Sequence, residues 1–511
     1  MKGCSMKSIT WICCFILGAS TVLFASDWPQ YKRTPDRQAC NLAESITLPT
    51  TLCGWFDFGS PILASPAVVN GKAYVLSSRG LLACLDLDSN RVAWSRSLGG
   101  VSNECSPAVG SGKVYVGTTA GVFYVLDAAD GAVLHSYNAG GAVFAAPLLM
   151  DNGVYFGSFG GVFHALDLDG NLKWTDTAMY KIMHAAAAYK GQIVYSDGDN
   201  NLIWLEDSGT YCKKIRVVHN AEANNTTHSG FSCAPMIWND TVYTAYTEAE
   251  MLNMIALFDF NTGVKSREFD FLGTGGASRS GVSVDTASGM ILVPSANAGM
   301  YVKPWPNQGT MAVWSSYPDG LYGVNTAPAV IGNCVIFGAE HNSDTGGCAV
   351  YFRNKANGSS LWSYRPASYR PFASSSAVSD GKAVIGCMDG CVYGFWNGTA
   401  VTSPTIVDTT GNTGVATRNA SLPGTWTLSA FPNPATGGNV TLSSEGFQNG
   451  ATLFVYDVAG RLQRRLPLDK KEIQWDLKDN RGRALASGNY GAVVLDRKGK
   501  QTRTFTIQVV K

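Results

Sequence analysis

Histidine, cysteine and paired carboxylates, the side chains that most often do chemistry, are all present in this 511-residue chain, yet none is spaced as a known constellation requires. His135, His164, His184, His219, His228 and His341 are scattered along it, without a His-Glu-x-x-His, Gly-x-Ser-x-Gly or phosphate-loop pattern. Asp86/Asp88 and Asp167/Asp169 invite a calcium reading, but they lack a full loop of oxygen ligands and read instead as turn-forming residues. Ten cysteines follow residue 25: Cys40, Cys53, Cys84, Cys105, Cys212, Cys233, Cys334, Cys348, Cys387 and Cys391. No Cys-x-x-Cys occurs among them, which argues against a metal or haem site, and their even number argues for disulfides. Cys84 and Cys105 are 21 residues apart, as are Cys212 and Cys233. These two pairs are the expected bridges, with Cys40, Cys53, Cys387 and Cys391 as further candidates.

Disulfides presuppose export. Lys2 and Lys7 precede an apolar run over 9–24 and the small residues Ala25 and Ser26, so residues 1–25 read as a signal peptide rather than a spanning helix, which needs ~20 apolar residues. No later stretch is long and apolar enough to span. The net charge of +1 offers no basic excess for nucleic acid. It also hides a split: residues 427–511 hold 13 Lys+Arg and 7 Asp+Glu, leaving 26 and 31 elsewhere.

The elements that would position any site come from a repeat. Fifty-six glycines with only 15% charged residues indicate short strands and tight turns. The stretch 65–95 recurs at 106–136 and 146–175, and weaker copies start near Ala187, Pro235, Ser283, Pro328 and Ser376. From Pro66 the starts lie 41, 40, 40, 48, 48, 45 and 48 residues apart, the period of a four-stranded propeller blade. Each copy predicts a short strand, a turn, a strand centred on Tyr74, Tyr115, Tyr155, Tyr195 or Tyr243 (later Ile291, Ile336 and Val384), and a third strand ending in Leu-Asp. A fourth strand bears Trp94, Trp174, Trp314 or Trp362, and His135 takes that place in the second copy. The eighth copy lacks a tryptophan strand, and residues 50–59 with Trp55 supply one from the other end of the chain. The expected fold is therefore all-β: an eight-bladed β-propeller over 27–400, closed by pairing its termini.

Ser-Pro-Ala-Val, Asn-Gly-Lys, Tyr-Val and Leu-Asp in this order resemble the pyrroloquinoline-quinone-like propeller repeat. Asp27-Trp28-Pro29-Gln30-Tyr31 resembles the opening found ahead of such propellers in exported bacterial proteins. The resemblance implies either a quinone-dependent dehydrogenase or a non-enzymatic scaffold of the kind found in the outer-membrane barrel-assembly machine. The dehydrogenases use calcium with the quinone and an adjacent cysteine pair facing it, and no adjacent cysteines remain after residue 25. No cofactor is therefore expected, with pyrroloquinoline quinone and calcium as the alternative. The largest insertions, at 221–230, 247–254 and 303–310, make His228, Trp238, Tyr246 and Trp305 candidates for a ligand surface.

Residues 401–425 are rich in Thr, Ser and Gly and read as a linker. From Trp426 the alternating strands predict a small immunoglobulin-like β-sandwich over 426–511. FPNPA (431–435), VYDVAGR (455–461) and WDLKDNRGRALASGNY (475–490) resemble the C-terminal sorting domain of type IX secretion. That resemblance makes Asn433, Asp457, Gly460, Gly482, Gly488 and Tyr490 fold and recognition positions. The sequence reads as a secreted or surface-displayed binding module for a protein or glycan, routed by the type IX machinery. The alternative is an extracellular quinone-dependent oxidoreductase acting on an alcohol or sugar.

Overall fold

The computed structural model describes residues 27–407, apart from short stretches of which 221–230, 271–280 and 305–311 are the longest, and most strands beyond 426. The signal peptide, His228, Trp305, Asn433, Asp457 and Gly460 lie outside the described residues. The chain divides into two compact units, 1–415 and 416–511.

The first unit is an eight-bladed β-propeller. Its antiparallel sheets, with strands called A to D from first to last, span 67–97, 108–138, 148–177, 187–219, 236–270, 283–315, 329–364 and 377–396. The A strands of neighbouring blades lie against one another around the axis. Closure follows the sequence reading: Thr51–Asp57 pairs with Cys391–Trp396 as the D strand of blade 8. One boundary moves. Thr405–Ile406, expected in the linker, adds a fifth strand in parallel to Phe56 and Asp57, and Val407 is buried there.

The repeated aromatic residues join consecutive blades. Trp94 Nε1 and the Tyr74 hydroxyl both donate to Ala128 O in the C–D turn of blade 2. Trp174 Nε1 and the Tyr155 hydroxyl reach Asp207 of blade 4 in the same way, and Trp314 Nε1 reaches Lys355 O of blade 7. The turn must hold a glycine there, since a Cβ on Gly131 would meet Trp94 at 2.5 Å. His135 fills the tryptophan place against Gly170, as expected, and in blade 4 Arg216 fills it against Gly263, donating to Phe260 O and Asn261 O. The Leu-Asp carboxylates cap their own turns: Asp86 accepts from Ser89 N and Asp167 from Asp169 N and Asn171 N.

Three assignments are one residue out, and in a strand that moves a side chain to the opposite face. Tyr195 follows the repeat's tyrosine place, held by Val194 opposite Ala187. Its hydroxyl accordingly donates backwards, to Asp176 of blade 3. Leu292, not Ile291, stands opposite the first A-strand residue of blade 6. In blade 8 a bulge puts Gly54 rather than Trp55 in the tryptophan place, opposite Gly394. The Trp396 ring covers both glycines.

The second unit holds a three-stranded and a five-stranded sheet. Leu453, Val455, Leu466, Leu468, Trp475 and Tyr490 are buried in it.

Candidate functional site: the axis of the ring and its loop face

The inner edge of an A strand carries N–H and C=O groups that no blade strand pairs. Here the segment before the repeats supplies the partners, blade by blade. Val68 N donates to Trp28 O, Val109 N to Pro29 O, Ala188 N to Pro35 O, Ile237 N to Asp36 O, Val284 N to Gln38 O and Val330 N to Ala39 O. Leu149 N of blade 3 donates to Gln30 Oε1, and Gln30 Nε2 returns a bond to Leu149 O. These donors are the middle residues of seven successive A strands. At blade 8 the Glu44 carboxylate accepts from Asp380 N and Gly381 N instead. Residues 28–44 thus visit all eight blades in order.

Visiting each blade with so few residues requires a coiled backbone. Lys32, Arg33, Arg37 and Ala39 adopt φ of 56°, 71°, 63° and 55°, a region that costs non-glycine residues of order 1 kcal/mol or more each. The turn they form sends three side chains into the ring. Arg37, 0% exposed, donates to Ala186 O, Pro147 O, Tyr31 O and Gln30 Oε1. Lys32 Nζ donates to Val282 O at 2.7 Å. Tyr31 packs against Ala146, Ala185 and Ala234. Burial lowers both cations, Lys32 to about 8 and Arg37 to about 10.

Space for these side chains comes from the blades. Two residues before each A strand stand Ser65, Ser106, Ala146, Ala185, Ala234, Gly281, Ala327 and Ser375, all small. A Cβ on Gly281 would lie 2.9 Å from Lys32 Nζ. The serines also stitch the ring: Ala327 N donates to Ser375 Oγ, Ser375 N to Ser65 Oγ and Ser65 N to Ser106 Oγ.

The expected disulfides are not formed; all ten cysteines are free thiols. Cys105 and Cys233 recur before their A strands for another reason. Each sulfur accepts the N–H of the residue twelve further on, Gly117 and Ala245, a duty that the Thr326 and Ser374 hydroxyls perform for Gly338 and Gly386. The intended partners lie elsewhere, Cys84 opposite Trp94 on a C strand and Cys212 at the start of a D strand. Cys40 contacts Thr286 and Cys53 contacts Trp396, so they do not meet. Cys387 faces Arg370 O and Pro371 O, not Cys391.

Two of the ligand-surface candidates are described, and both are packing residues. Tyr246 is fully buried against Phe231, and Trp238 packs on Gly289 of blade 6. His228 and Trp305 lie outside the described residues. The D–A and B–C connections share one face. There Phe159, Tyr180 and Met183 are exposed, with Phe144 at the edge of Phe159 and Lys181 Nζ over its ring. Sequence reasoning missed this group because the connections are short and carry no insertion. His164 is a core residue of blade 3, its ring stacked on Phe156 and bonded to Ser158 and Tyr137; burial lowers it to about 4.

A family model described as outer membrane protein assembly factor BamB matches residues 99–284. Among solved structures, BamB from Moraxella catarrhalis is similar at 15% identity and a TM-score of 0.52, over 69% of this chain and 99% of that one. The ring has the fold of PQQ-like propellers. Quinohemoprotein alcohol dehydrogenase from Comamonas testosteroni is similar at 13% identity and 0.55, over 76% and 83%. A europium-containing methanol dehydrogenase gives 12% and 0.55, over 73% and 98%. Likeness at these identities speaks to the fold alone. No curated protein matches the sequence significantly, and no described helix is long and apolar enough to cross a membrane.

Calcium with a quinone is the cofactor such a propeller implies, and the axis residues do not suit the metal. Divalent cations bind among carboxylate and amide oxygens. This PQQ-like propeller places two buried cations there, and like charges repel strongly where water is excluded. Among the described residues no three His, Cys, Asp or Glu side chains converge as metal ligands.

Proposed function

We propose that the propeller is a non-enzymatic binding module for a protein or glycan, exported and delivered to the cell surface or medium by its C-terminal unit. The observation that carries this reading is the occupied axis, where residues 28–44 bond to all eight blades. Binding then belongs to the face of the B–C and D–A connections, where Phe159, Tyr180, Met183 and Lys181 present aromatic, apolar and cationic groups together. Protein-interface anchors and sugar-stacking platforms both use such residues.

Screening the protein against a glycan array and a surface-protein extract, in parallel with a Phe159→Ala/Tyr180→Ala variant, tests the site. Loss of the captured ligand in the variant supports it. Dye-linked alcohol or sugar oxidation after adding calcium and the quinone would overturn the non-enzymatic reading in favour of the oxidoreductase.

For the second unit, its two sheets and the Tyr490 hydroxyl donating to Ala486 O support an immunoglobulin-like sandwich, in which a tyrosine commonly bonds back to the backbone a few residues upstream. Asp479 organises the motif turn, accepting from Arg481 N and Arg483 N, and Gly482 sits in it with φ 76°. We assign this unit to type IX sorting. Deleting 427–511 should strand the protein in the periplasm, and normal surface delivery without it would remove the assignment.

A further inference from the structure

The contacts of residues 28–44 have the character of a ligand in a receptor. A chain segment that is part of a sheet pairs with one neighbouring strand over several residues. This one makes a few bonds to each blade, Trp28 and Gln30 exchanging them in both directions with Val68 and Leu149, and moves on, and its own shape is fixed by internal bonds: Arg33 N to Gln30 O, Thr34 N to Lys32 O, Arg37 N to Thr34 O and Ala39 N to Lys32 O. On the ring side the site is built from every repeat, with seven inward N–H groups and a small residue two before each A strand, of which Ala146, Ala185 and Ala234 pack on Tyr31 and Gly281 lies beside Lys32. Those N–H groups sit on blades that complete their own four-stranded sheets without the segment, except that Cys40–Asn41 also runs parallel to Val330–Ile331. The tether to the closing D strand is exposed at Ser45, Thr47 and Pro49.

We infer that the inner edge of the propeller is a peptide-binding site, specific for a coiled segment that opens on Trp-Pro-Gln and carries a buried arginine, and that residues 27–44 are its ligand, supplied in cis. Specificity comes from three features. Backbone acceptors pair with the A-strand amides, as in peptide recognition by strand edges. The Gln30 side chain imitates a peptide group toward blade 3. The Arg37 guanidinium satisfies Ala186 O and Pro147 O, which would otherwise be buried without a donor at a cost for each unmade bond.

The test cuts the tether after the protein has folded. A protease site inserted after Thr47 in the full chain is cleaved, and native mass spectrometry reports whether the released segment stays with the ring. A labelled synthetic peptide of residues 27–47 is then added, with an Arg37→Ala version in parallel. Retention of the cut segment, exchange with the labelled peptide, and at least tenfold weaker uptake of the Arg37→Ala peptide are expected. Loss of the segment from a ring that keeps its unfolding temperature would show that only the tether holds it. Unfolding of the ring on cleavage would show an integral strand instead of a ligand, and equal uptake of both peptides would remove the specificity. Any of these three results overturns the inference.

Discussion

Every blade ends in two strand edges with unpaired backbone groups, and the protein treats them in opposite ways. The inner edge is sealed by residues 28–44, at least one acceptor per blade. Outside blade 8, where Thr405–Ile406 covers it, the outer edge is left to water and guarded by composition: the D strands carry Arg91, Arg96, Lys173, Lys213 and Lys214, charges that discourage pairing with another chain. The difference follows from geometry. Eight inner edges face one another around a narrow axis, so a single short segment can serve them all, whereas the outer edges diverge and no one segment could. An enclosed N–H without a partner costs about 1–3 kcal/mol, while a solvated one costs nothing.

The largest effect should come from the inner seal. Arg37→Ala removes a guanidinium with four acceptors and leaves buried carbonyls and a cavity. A loss of about 3–5 kcal/mol, seen in chemical unfolding of the full chain, is the expected cost. Next comes the interior of a blade. His164 has its folded value lowered from 6.5 to about 4, so the folded state holds it neutral where the unfolded chain would protonate it. Its contribution is complete above pH 6.5 and is lost as pH falls toward 4, amounting to roughly 3 kcal/mol at about 1.4 kcal/mol per pH unit. His164→Gln should flatten the stability profile across that window and nowhere else.

Between blades the effect is smaller. Gly131→Ala places a methyl in a left-handed backbone, 2.5 Å from the Trp94 ring, and should cost about 2–3 kcal/mol. Gly140→Ala, at φ 67° with nothing within 4 Å, should cost only about 1 kcal/mol. At the outer edge Lys214→Ala breaks an ion pair to Asp176 of 3.0 Å between partly exposed groups, and less than about 1 kcal/mol should follow. An outer-edge loss as large as that of Arg37→Ala would erase the contrast between the edges.

The repeat made the ring legible because it has a period, and the closing strand because the eighth copy lacks its own. Residues 28–44 have no period. Their order is set by the spacing of the A strands, and four non-glycine residues at positive φ leave no propensity signal. A sequence trace of the segment does exist: the run of small residues from Ser65 to Ser375, two before each A strand, has no reason inside a blade and marks a filled axis. The cysteines misled because a thiol and a hydroxyl can do the same job, so Cys105 and Cys233 recur as hydrogen-bonding groups in place of Thr326 and Ser374. Tyr195, Ile291 and Trp55 were each one residue out, where turn length and a bulge, not residue type, decide the face.

Hydrogen exchange tests the occupied axis most directly. Mass spectrometry on the intact protein should find the peptides containing Val68, Val109, Leu149, Ala188, Ile237, Val284 and Val330 protected for hours at neutral pH, together with 28–44, while the outer D strands exchange within minutes. Inner strands that exchange as fast as the D strands, or a 28–44 peptide that exchanges at the rate of free chain, would contradict a sealed axis and return the channel to the list of places where this propeller could bind.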